Sequence, residues 1–270
     1  MSVDIQSLLQ EDKLDEAIAA MNDAVRANPA DVNRRANLVE LLCYAGNLER
    51  ADKLLDAISS LDPSTGIGVA LFRQLVRAEQ ARQQFYTEGR MPEFLRTPDA
   101  AVALELRAAV SLRQGEAAEA AALIEERDAL RAPISGTVDG VAFDDFRDLD
   151  DICSAHLEVL TSNGKYYWVP FTSIVKIDFH KPERRRDLLW RGAFLTLHDD
   201  PDGEVYIPTV YFAADSTPSQ RLGHETDFVG GDGAPISAKG LRSFLVGEES
   251  KTILELGKVT FTPGDAGPAA

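Results

Sequence analysis

Histidine is the first side chain to consider, because its imidazole serves as a metal ligand or as a general base near neutral pH. One of the four histidines, His224, is followed by Glu225 and Asp227, which could act as further ligands. A metal site requires three or four ligands that converge in space, and neighbouring positions alone do not supply them. The spacing of the histidines therefore predicts no metal site (His156, His180, His198, His224).

Two further segments have the composition of ligand-binding loops. The acidic run at residues 199–204 resembles a calcium loop, but the loop pattern would place His198 at the first ligand position and lacks the closing Glu. The glycine-rich run at residues 230–233 resembles a phosphate cradle, but no Gly-Lys-Ser/Thr follows it. We interpret the acidic run as a hairpin turn and the glycine-rich run as a flexible loop.

Nucleophilic and redox chemistry have no support in the sequence. No serine lies in a G-x-S-x-G elbow. Cys43 and Cys153 lie far apart, without a C-x-x-C or paired-histidine spacing, so we expect both to be buried small side chains. The sequence predicts no catalytic residue and no cofactor, and we expect a protein that is not an enzyme.

The charge balance limits the partners. The chain has 270 residues, with 28 Lys and Arg against 44 Asp and Glu, and its net charge is -16. Such a surface repels phosphate backbones and anionic lipids, so we expect neither nucleic acid nor a membrane as a partner. The first residues, MSVDIQ, do not resemble a signal peptide, and no apolar run approaches the ~20 residues of a transmembrane helix. We therefore expect a cytoplasmic protein.

The two halves of the chain differ in composition. Residues 1–132 contain 5 of the 20 aromatic residues and 5 of the 19 glycines, and they are rich in helix-forming Ala, Leu, Glu, Arg and Gln. Residues 133–270 contain the other aromatic residues and glycines, which favour strands and turns. We predict an α+β protein of two domains, with an all-helical domain at 1–132 and a mainly antiparallel β domain at 133–270.

A repeat of 34 residues, the tetratricopeptide period, organises the helical half. Small residues that let two helices approach closely coincide, as do the prolines that end the helices. The coincident pairs are Leu14 and Leu48, Ala17 and Ala51, Met21 and Leu55, Ala24 and Ile58, and Pro29 and Pro63. Asp31 is predicted to cap the helix between the two units, and Gly46 is predicted to form the turn after it. The sequence therefore predicts a TPR-like array.

A third and less regular unit follows. Ala120 and Ile124 correspond to Ala51 and Leu55, but Arg127 replaces the apolar residue at the next position. Between the units, one longer helix is predicted from Ser64, as its cap, to Glu88. We expect about seven helices in this half, with the β half packed on the array as a cap.

Hairpin signals divide the β half. Turns are predicted at Asp139-Gly140, at Asn163-Gly164 and at residues 199–203, each between short apolar runs. Further strands are predicted at 174–179, 241–246 and 259–262. We expect a small, mostly antiparallel sheet with one or two short helices, and an irregular tail after Pro263.

Two runs in the β half could contact a partner. The aromatic run at residues 166–171 places Tyr166 and Trp168 on one face of a strand, which either binds a partner or packs on the helical half. The basic run at residues 181–187 is either a solvated loop, a docking patch for an acidic partner or an ion-pair network within the fold.

Several motifs, in order along the chain, resemble the ImpE/TagJ family, also called SciE-type proteins. They are FRQLVRAEQAR at 72–82, GRMPEF at 89–94, GTVDG at 136–140, NGKYYWVPF at 163–171, RDLLW at 186–190 and IPTxY at 207–211. The resemblance implies a non-enzymatic accessory protein of bacterial type VI secretion. It also implies two partners: the N-terminal helix of the small sheath subunit TssB, and the disassembly ATPase ClpV.

A helical array binds an amphipathic helix in its groove, so the residues and the resemblance converge on a protein ligand. We hypothesise that arginines of the helical half contact carboxylates of the partner (Arg34, Arg35, Arg73, Arg77). Two alternatives remain: a structural adaptor that binds through the β half, and an enzyme that holds a small ligand beside Tyr166 and Trp168. The sequence leaves self-association open.

Overall fold

The computed structural model describes residues 4–262, and the tail predicted after Pro263 lies outside the described residues. Between Asp4 and Thr262, seven α-helices precede the first strand, as expected. They are α1 (Ile5–Gln10), α2 (Leu14–Ala27), α3 (Val32–Tyr44), α4 (Leu48–Leu61), α5 (Gly66–Glu88), α6 (Ala100–Gln114) and α7 (Ala117–Leu130). Of the helices in this part of the chain, none combines the length and apolar composition needed to cross a membrane.

The residues that indicated the repeat in the sequence adopt the predicted local structure. Helices α2 and α4 end two residues before Pro29 and Pro63. The carboxylate of Asp31 accepts a hydrogen bond of 3.0 Å from the backbone N–H of Arg34 and caps α3. Gly46 has a φ of +73°, a conformation that glycine adopts at little cost. The TPR-like array is confirmed.

The start of α5 differs from the prediction. A 3-10 turn at Pro63–Thr65, capped by Asp62, precedes the helix, and the residue before α5 is Thr65 rather than Ser64. The carboxylate of Asp62 accepts hydrogen bonds of 3.0 Å from the backbone N–H and 2.6 Å from the hydroxyl of Ser64. The helix ends as predicted, at Gly89, whose φ is +80°.

Helices α6 and α7 form the third, irregular hairpin. Ala120 and Ile124 are buried, like their counterparts in α4. At the position of Ile58, the buried Arg127 forms an ion pair of 2.5 Å with Glu105 of α6. The hairpin therefore keeps the shape of the repeat but replaces one apolar contact with a pair of charges.

The β half contains thirteen strands within residues 4–262. They are β1 (Gly136–Val138), β2 (Val141–Phe143), β3 (Phe146–Asp148), β4 (His156–Thr161), β5 (Tyr166–Pro170), β6 (Ile174–Phe179), β7 (Trp190–Leu197), β8 (Gly203–Pro208), β9 (Thr226–Gly231), β10 (Ala234–Gly240), β11 (Ser243–Val246), β12 (Glu249–Thr252) and β13 (Lys258–Phe261). A short helix, α8 (Pro218–Arg221), and 3-10 turns at Phe171–Ser173 and Arg185–Leu188 connect them.

The strands form three antiparallel sheets. The largest has eight strands in the order β2-β1-β13-β6-β7-β8-β4-β5, which is larger than the small sheet we expected. Strands β12, β11 and β3 form a second sheet, and β9 pairs with β10. The three predicted hairpin turns are present, but residues 230–233 are not a loop: they end β9 and form its tight turn into β10.

Two hydrophobic cores hold the molecule together. One lies within the β half. The other begins between the helices and continues into the sheet through Tyr166, Trp168, Leu189 and Trp190. The β half therefore packs on the array, as predicted. Helix α7 ends at Leu130 and β1 begins at Gly136. The division into two domains at 132/133 remains a prediction, because the core that begins between the helices continues across it.

Candidate functional site

The β half covers the face of the array that α3 and α5 present. The hydroxyl of Tyr44 in α3 donates a hydrogen bond of 2.7 Å to the backbone carbonyl of Arg185. The rings of Phe72 in α5 and Trp190 in β7 meet edge to face at 6.0 Å. The β half therefore occupies the end of α3 and the middle of α5 on this face.

A buried ion network lies at the centre of the contact between the helical half and the β half. We call this contact the junction. The guanidinium of Arg82 in α5 donates two hydrogen bonds of 3.0 Å to Glu158 in β4 and one of 3.1 Å to Glu79. The indole N–H of Trp190 donates to the other oxygen of Glu79 at 3.1 Å. Every charge at this junction has a partner, as a buried charge requires.

The network continues into the sheet. Arg242 contacts both Glu158 and Asp148, and the hydroxyl of Tyr211 donates to Asp148 at 2.7 Å. Burial alone would raise the pKa of Glu158, but the adjacent Arg82 and Arg242 hold it below its usual range. Glu158 is therefore ionised, and through Arg82 and Arg242 it links α5 to the residue that precedes β11.

A second buried group joins α6 to the sheet. Glu105 accepts hydrogen bonds from Arg127, from the backbone N–H of Ala155 at 2.7 Å and from the ring of His156 at 2.6 Å. The ring of His156 stacks on Trp168 with 3.6 Å between the centroids. This histidine is a structural residue of the junction.

The aromatic residues proposed to bind a partner are buried. Tyr166 is 2% exposed and Trp168 is 0% exposed, so neither can form a partner surface or line an open ligand site. Trp168 packs edge to face on Phe85 of α5 at 4.8 Å and donates its indole N–H to the hydroxyl of Tyr166 at 2.5 Å. The alternative interpretation, that this face packs on the helical half, is correct because α5 covers it.

The four candidate arginines have different environments. Arg73 pairs with Asp52 and Asp56 of α4, each at 2.8 Å. Arg34 and Arg35 donate to Asp31 and to the carbonyl of Pro29, respectively. Arg77 is exposed, and no carboxylate within residues 4–262 forms an ion pair with it. A partner-binding role for the four arginines stays a prediction, and Arg77 is the one whose charge is least engaged.

The basic run is part of the fold. Arg185 lies 3.7 Å from Glu40 of α3, and the guanidinium of Arg186 lies 5.4 Å from the ring centre of Phe72. The carboxylate of Asp187 accepts two backbone N–H groups of the same run. Of the interpretations considered, the ion-pair network within the fold fits these contacts.

The other segments that could do chemistry also have structural contacts. The ring of His224 lies 2.7 Å from Asp12 of the helical half. Arg96 pairs with Asp200 at 2.9 Å in the acidic hairpin, where Asp202 also accepts the backbone N–H of Leu197. Among the described residues, no three His, Cys, Asp or Glu side chains are placed to hold a metal ion. Both cysteines are buried and free.

An open groove remains on the helical half, and the sequence analysis missed it. It measures about 390 Å³ and lies between the end of α5, the segment after Gly89, α6 and the start of α7. We call it the α6 groove. Its lining includes Phe85, Met91, Leu106, Arg107, Val110, Arg113, Glu116, Glu119 and Leu123. The spacing of Leu106 and Val110 along one helix face was the available signal.

Comparison with known proteins relates part of this chain to a family. Residues 140–260 match the family described as ImpE protein. The chain carries an ImpE domain. Residues 8–75 match the tetratricopeptide repeat family and correspond to α1 to the middle of α5. The resemblance that the motifs indicated is confirmed.

Two relatives extend the similarity over both halves. The protein from Pseudomonas aeruginosa named type VI secretion system accessory component TagJ is 27% identical over 263 residues, which cover 97% of this chain and 92% of the relative. The crystal structure of protein VPA1032 from Vibrio parahaemolyticus matches with a TM-score of 0.90 and 27% identity, covering 97% of this chain and 98% of that one. Both similarities therefore span the helical array and the ImpE domain of this chain.

Proposed function

We propose that this chain is an accessory protein of a bacterial type VI secretion system and that it acts in the cytoplasm. The observation that carries this proposal is the similarity to TagJ, which spans the helical array and the ImpE domain alike. A relationship confined to the repeats would carry much less weight, because helical repeats serve many unrelated partners.

We further propose that the protein binds a sheath component and does not catalyse a reaction. The resemblance implies the N-terminal helix of the small sheath subunit TssB as the ligand and ClpV as a second partner. Helical hairpins bind amphipathic helices in the grooves between them. Because the β half covers the face of α3 and α5, we place the ligand on the remaining surface of the helical half.

A structural adaptor that binds through the β half is the second candidate. Strand β9 has no second neighbour among the described strands, and its Phe228 and Val229 are exposed. An exposed apolar edge strand can pair with an extended segment of another chain. This candidate predicts that Val229→Lys abolishes binding of the intact sheath complex and leaves the affinity for the isolated helix unchanged.

The first experiment is a titration of the full chain with a labelled peptide that covers the N-terminal helix of the cognate small sheath subunit. A scrambled peptide of equal charge is the control. We expect saturable binding of the first peptide, and binding of the scrambled peptide at least about tenfold weaker. Equal binding of both peptides, or of neither, would reject the helix as the ligand.

A further inference from the structure

A groove of about 690 Å³ lies on the β half between two hairpins. The hairpin of β1 and β2 forms one wall, and the hairpin of β11 and β12 forms most of the other. None of the lining residues belongs to the helical half. We call it the acidic groove, and Val141, Asp144 and Glu248 are the lining residues that matter most for its chemistry.

Strand β2 runs along the first wall and is held at both of its ends. Before β2, the carboxylate of Asp139 accepts the backbone N–H groups of Gly257 and Lys258 at 3.2 and 2.6 Å. After β2, the backbone carbonyl of Asp145 accepts the N–H of Gly247 at 2.7 Å. Between these contacts β2 is the last strand of the large sheet, and its outer edge has no neighbouring strand within residues 4–262.

One face of this hairpin gives the groove an apolar surface. Val138 and Val141 are cross-strand partners, and Phe143 lies on the same face as Val141 because alternate residues of a strand share a face. Val138 and Phe143 are buried, whereas Val141 is 72% exposed. The edge strand therefore presents an apolar side chain to solvent within the groove.

The groove also carries an excess of acidic side chains. Its lining includes five carboxylates and one lysine, Lys251, which already pairs with Glu249 at 3.3 Å. Asp144 and Glu248 are exposed, and no Lys or Arg within residues 4–262 forms an ion pair with either. A Cβ atom at Gly247 would lie 3.5 Å from the carboxylate of Asp144, so Asp144 and Glu248 lie at the same end of the groove.

Two other grooves of the described chain lack this imbalance. The α6 groove has two Arg and two Glu side chains in its lining. In the cleft beside residues 132–135, Arg96 pairs with Asp199 and Asp200 at 3.4 and 2.9 Å. The acidic excess is therefore a local property and not only a result of the net charge. Since no three carboxylates among the described residues are placed to hold one metal ion, separate basic side chains suit these acids better.

We propose that the acidic groove binds a short, basic, extended segment of another protein. The backbone of this segment pairs with the outer edge of β2. Its apolar side chains alternate with Lys or Arg, so that one set contacts Val141 and the other set contacts Asp144 and Glu248. The three residues of β2 span roughly 10 Å, a length that pairs with about three or four residues of the partner. This inference concerns the ImpE domain and does not depend on the proposed helix ligand.

The test is a titration of the full chain with a labelled seven-residue peptide in which Arg and Val alternate. The control peptide has the same composition, but its Arg and Val residues form separate blocks, so it keeps the charge and loses the alternation. Asp144→Lys and Glu248→Lys alter the acids of the groove, and Val141→Lys alters its exposed apolar side chain.

Matched control variants make the same changes elsewhere. Glu125 and Glu126 are exposed acids of α7, and no Lys or Arg of the described chain forms an ion pair with them, so Glu125→Lys and Glu126→Lys change the net charge equally. Val229→Lys replaces an exposed valine of another edge strand, β9. All six positions are exposed, so the melting temperatures should agree within a few degrees.

We expect the unaltered chain to bind the alternating peptide at least about fivefold more tightly than the block peptide. Val141→Lys should weaken binding at least about tenfold, because a cation replaces an apolar contact. Asp144→Lys and Glu248→Lys should each weaken it about three- to tenfold. The three control variants should change the affinity by less than about twofold, since salt screens distant charges.

Three results would overturn the inference. If the α7 variants weaken binding as much as the groove variants, the peptide responds to the overall charge. If both peptides bind equally, the groove does not select an extended segment. If light scattering shows a dimer that Val141→Lys dissociates, a second copy covers the groove. The groove variants should bind the labelled sheath peptide like the unaltered chain, so failure of the proposed function and failure of this inference are separate results.

Discussion

The contact between α3 and α4 differs in kind from the contact between the helical half and the sheet. In the first, Ala51, Leu55 and Ile58 are buried against apolar neighbours. In the second, Arg82 of α5 forms an ion pair with Glu158 of β4 at the centre, and Glu105 of α6 accepts hydrogen bonds from Ala155 and His156. Apolar packing is non-directional, whereas a charged hydrogen bond requires particular atoms in particular places. The repeats therefore supply stability, and the junction specifies how the two halves are arranged.

Breaking the junction at its centre has the largest expected effect. Arg82→Ala leaves Glu158 and Glu79 buried with one cation fewer, so the free energy of unfolding should fall by about 3–5 kcal/mol. Urea unfolding followed by circular dichroism measures this loss. The control is Arg26→Ala, whose exposed pair with Asp23 should contribute less than about 1 kcal/mol. A similar small loss for both variants would contradict the role given to Arg82.

The equivalent positions Ile58 and Arg127 allow a direct test of the two kinds of contact. Arg127→Ile restores the apolar residue of the repeat but leaves Glu105 buried without its cation, so we expect a loss of about 3 kcal/mol. The double variant Arg127→Ile/Glu105→Gln removes the buried charge and should recover part of that loss.

The measurement is the free energy of unfolding of both variants in urea. If the single variant is as stable as the unaltered chain, the ion pair is dispensable, and the apolar repeat would suffice in the third hairpin as well. If the double variant is no better than the single one, the cost comes from the lost packing of Arg127 and not from the unpaired Glu105.

Stability should also depend on pH through one acid beside the junction. Burial, together with the nearby Asp148, raises the pKa of Asp150 to about 7 from its usual 3.8. The folded chain therefore binds a proton that the unfolded chain releases, and stability falls as the pH rises from about 4 to about 7. The loss from this group should be on the order of 4 kcal/mol.

Urea unfolding at several pH values tests the contribution of Asp150. The control is Asp150→Asn, which cannot ionise and should show a flatter profile across this range. An unchanged profile in that variant would assign the pH dependence to other groups.

Much of the fold follows from local sequence signals. Prolines end α2 and α4, Asp31 caps α3, and Asp139-Gly140 forms a tight turn, because each of these effects depends on a few adjacent residues. The hairpin of β9 and β10 was missed, since its glycines are typical of a loop and nearly all of β9 is exposed.

The junction could not be predicted in the same way. Arg82 and Glu158 are 76 residues apart, and no periodicity connects them. Strand alternation correctly placed Tyr166 and Trp168 on one face, but it does not say which element covers that face. The motif residues that carry the family resemblance, such as Arg82, Trp168 and Trp190, are buried at this contact, so their spacing reflects the arrangement of the two halves. The α6 groove was missed for a related reason: its walls come from three separate segments.

The ion pair at the edge of the junction should contribute least to the free energy of unfolding. Its loss can be compared directly with the loss of the buried pair at the centre. Arg185 and Glu40 are 3.7 Å apart and partly exposed, and burial raises the pKa of Glu40 despite the nearby arginines. Because solvent screens this pair and its carboxylate is costly to desolvate, Glu40→Gln should change the free energy of unfolding by less than about 1 kcal/mol. The test is urea unfolding at low and at high salt, where the small difference should shrink as salt increases. A loss as large as that of Arg82→Ala would mean that charge fixes the two halves across the whole contact and not only at its buried centre.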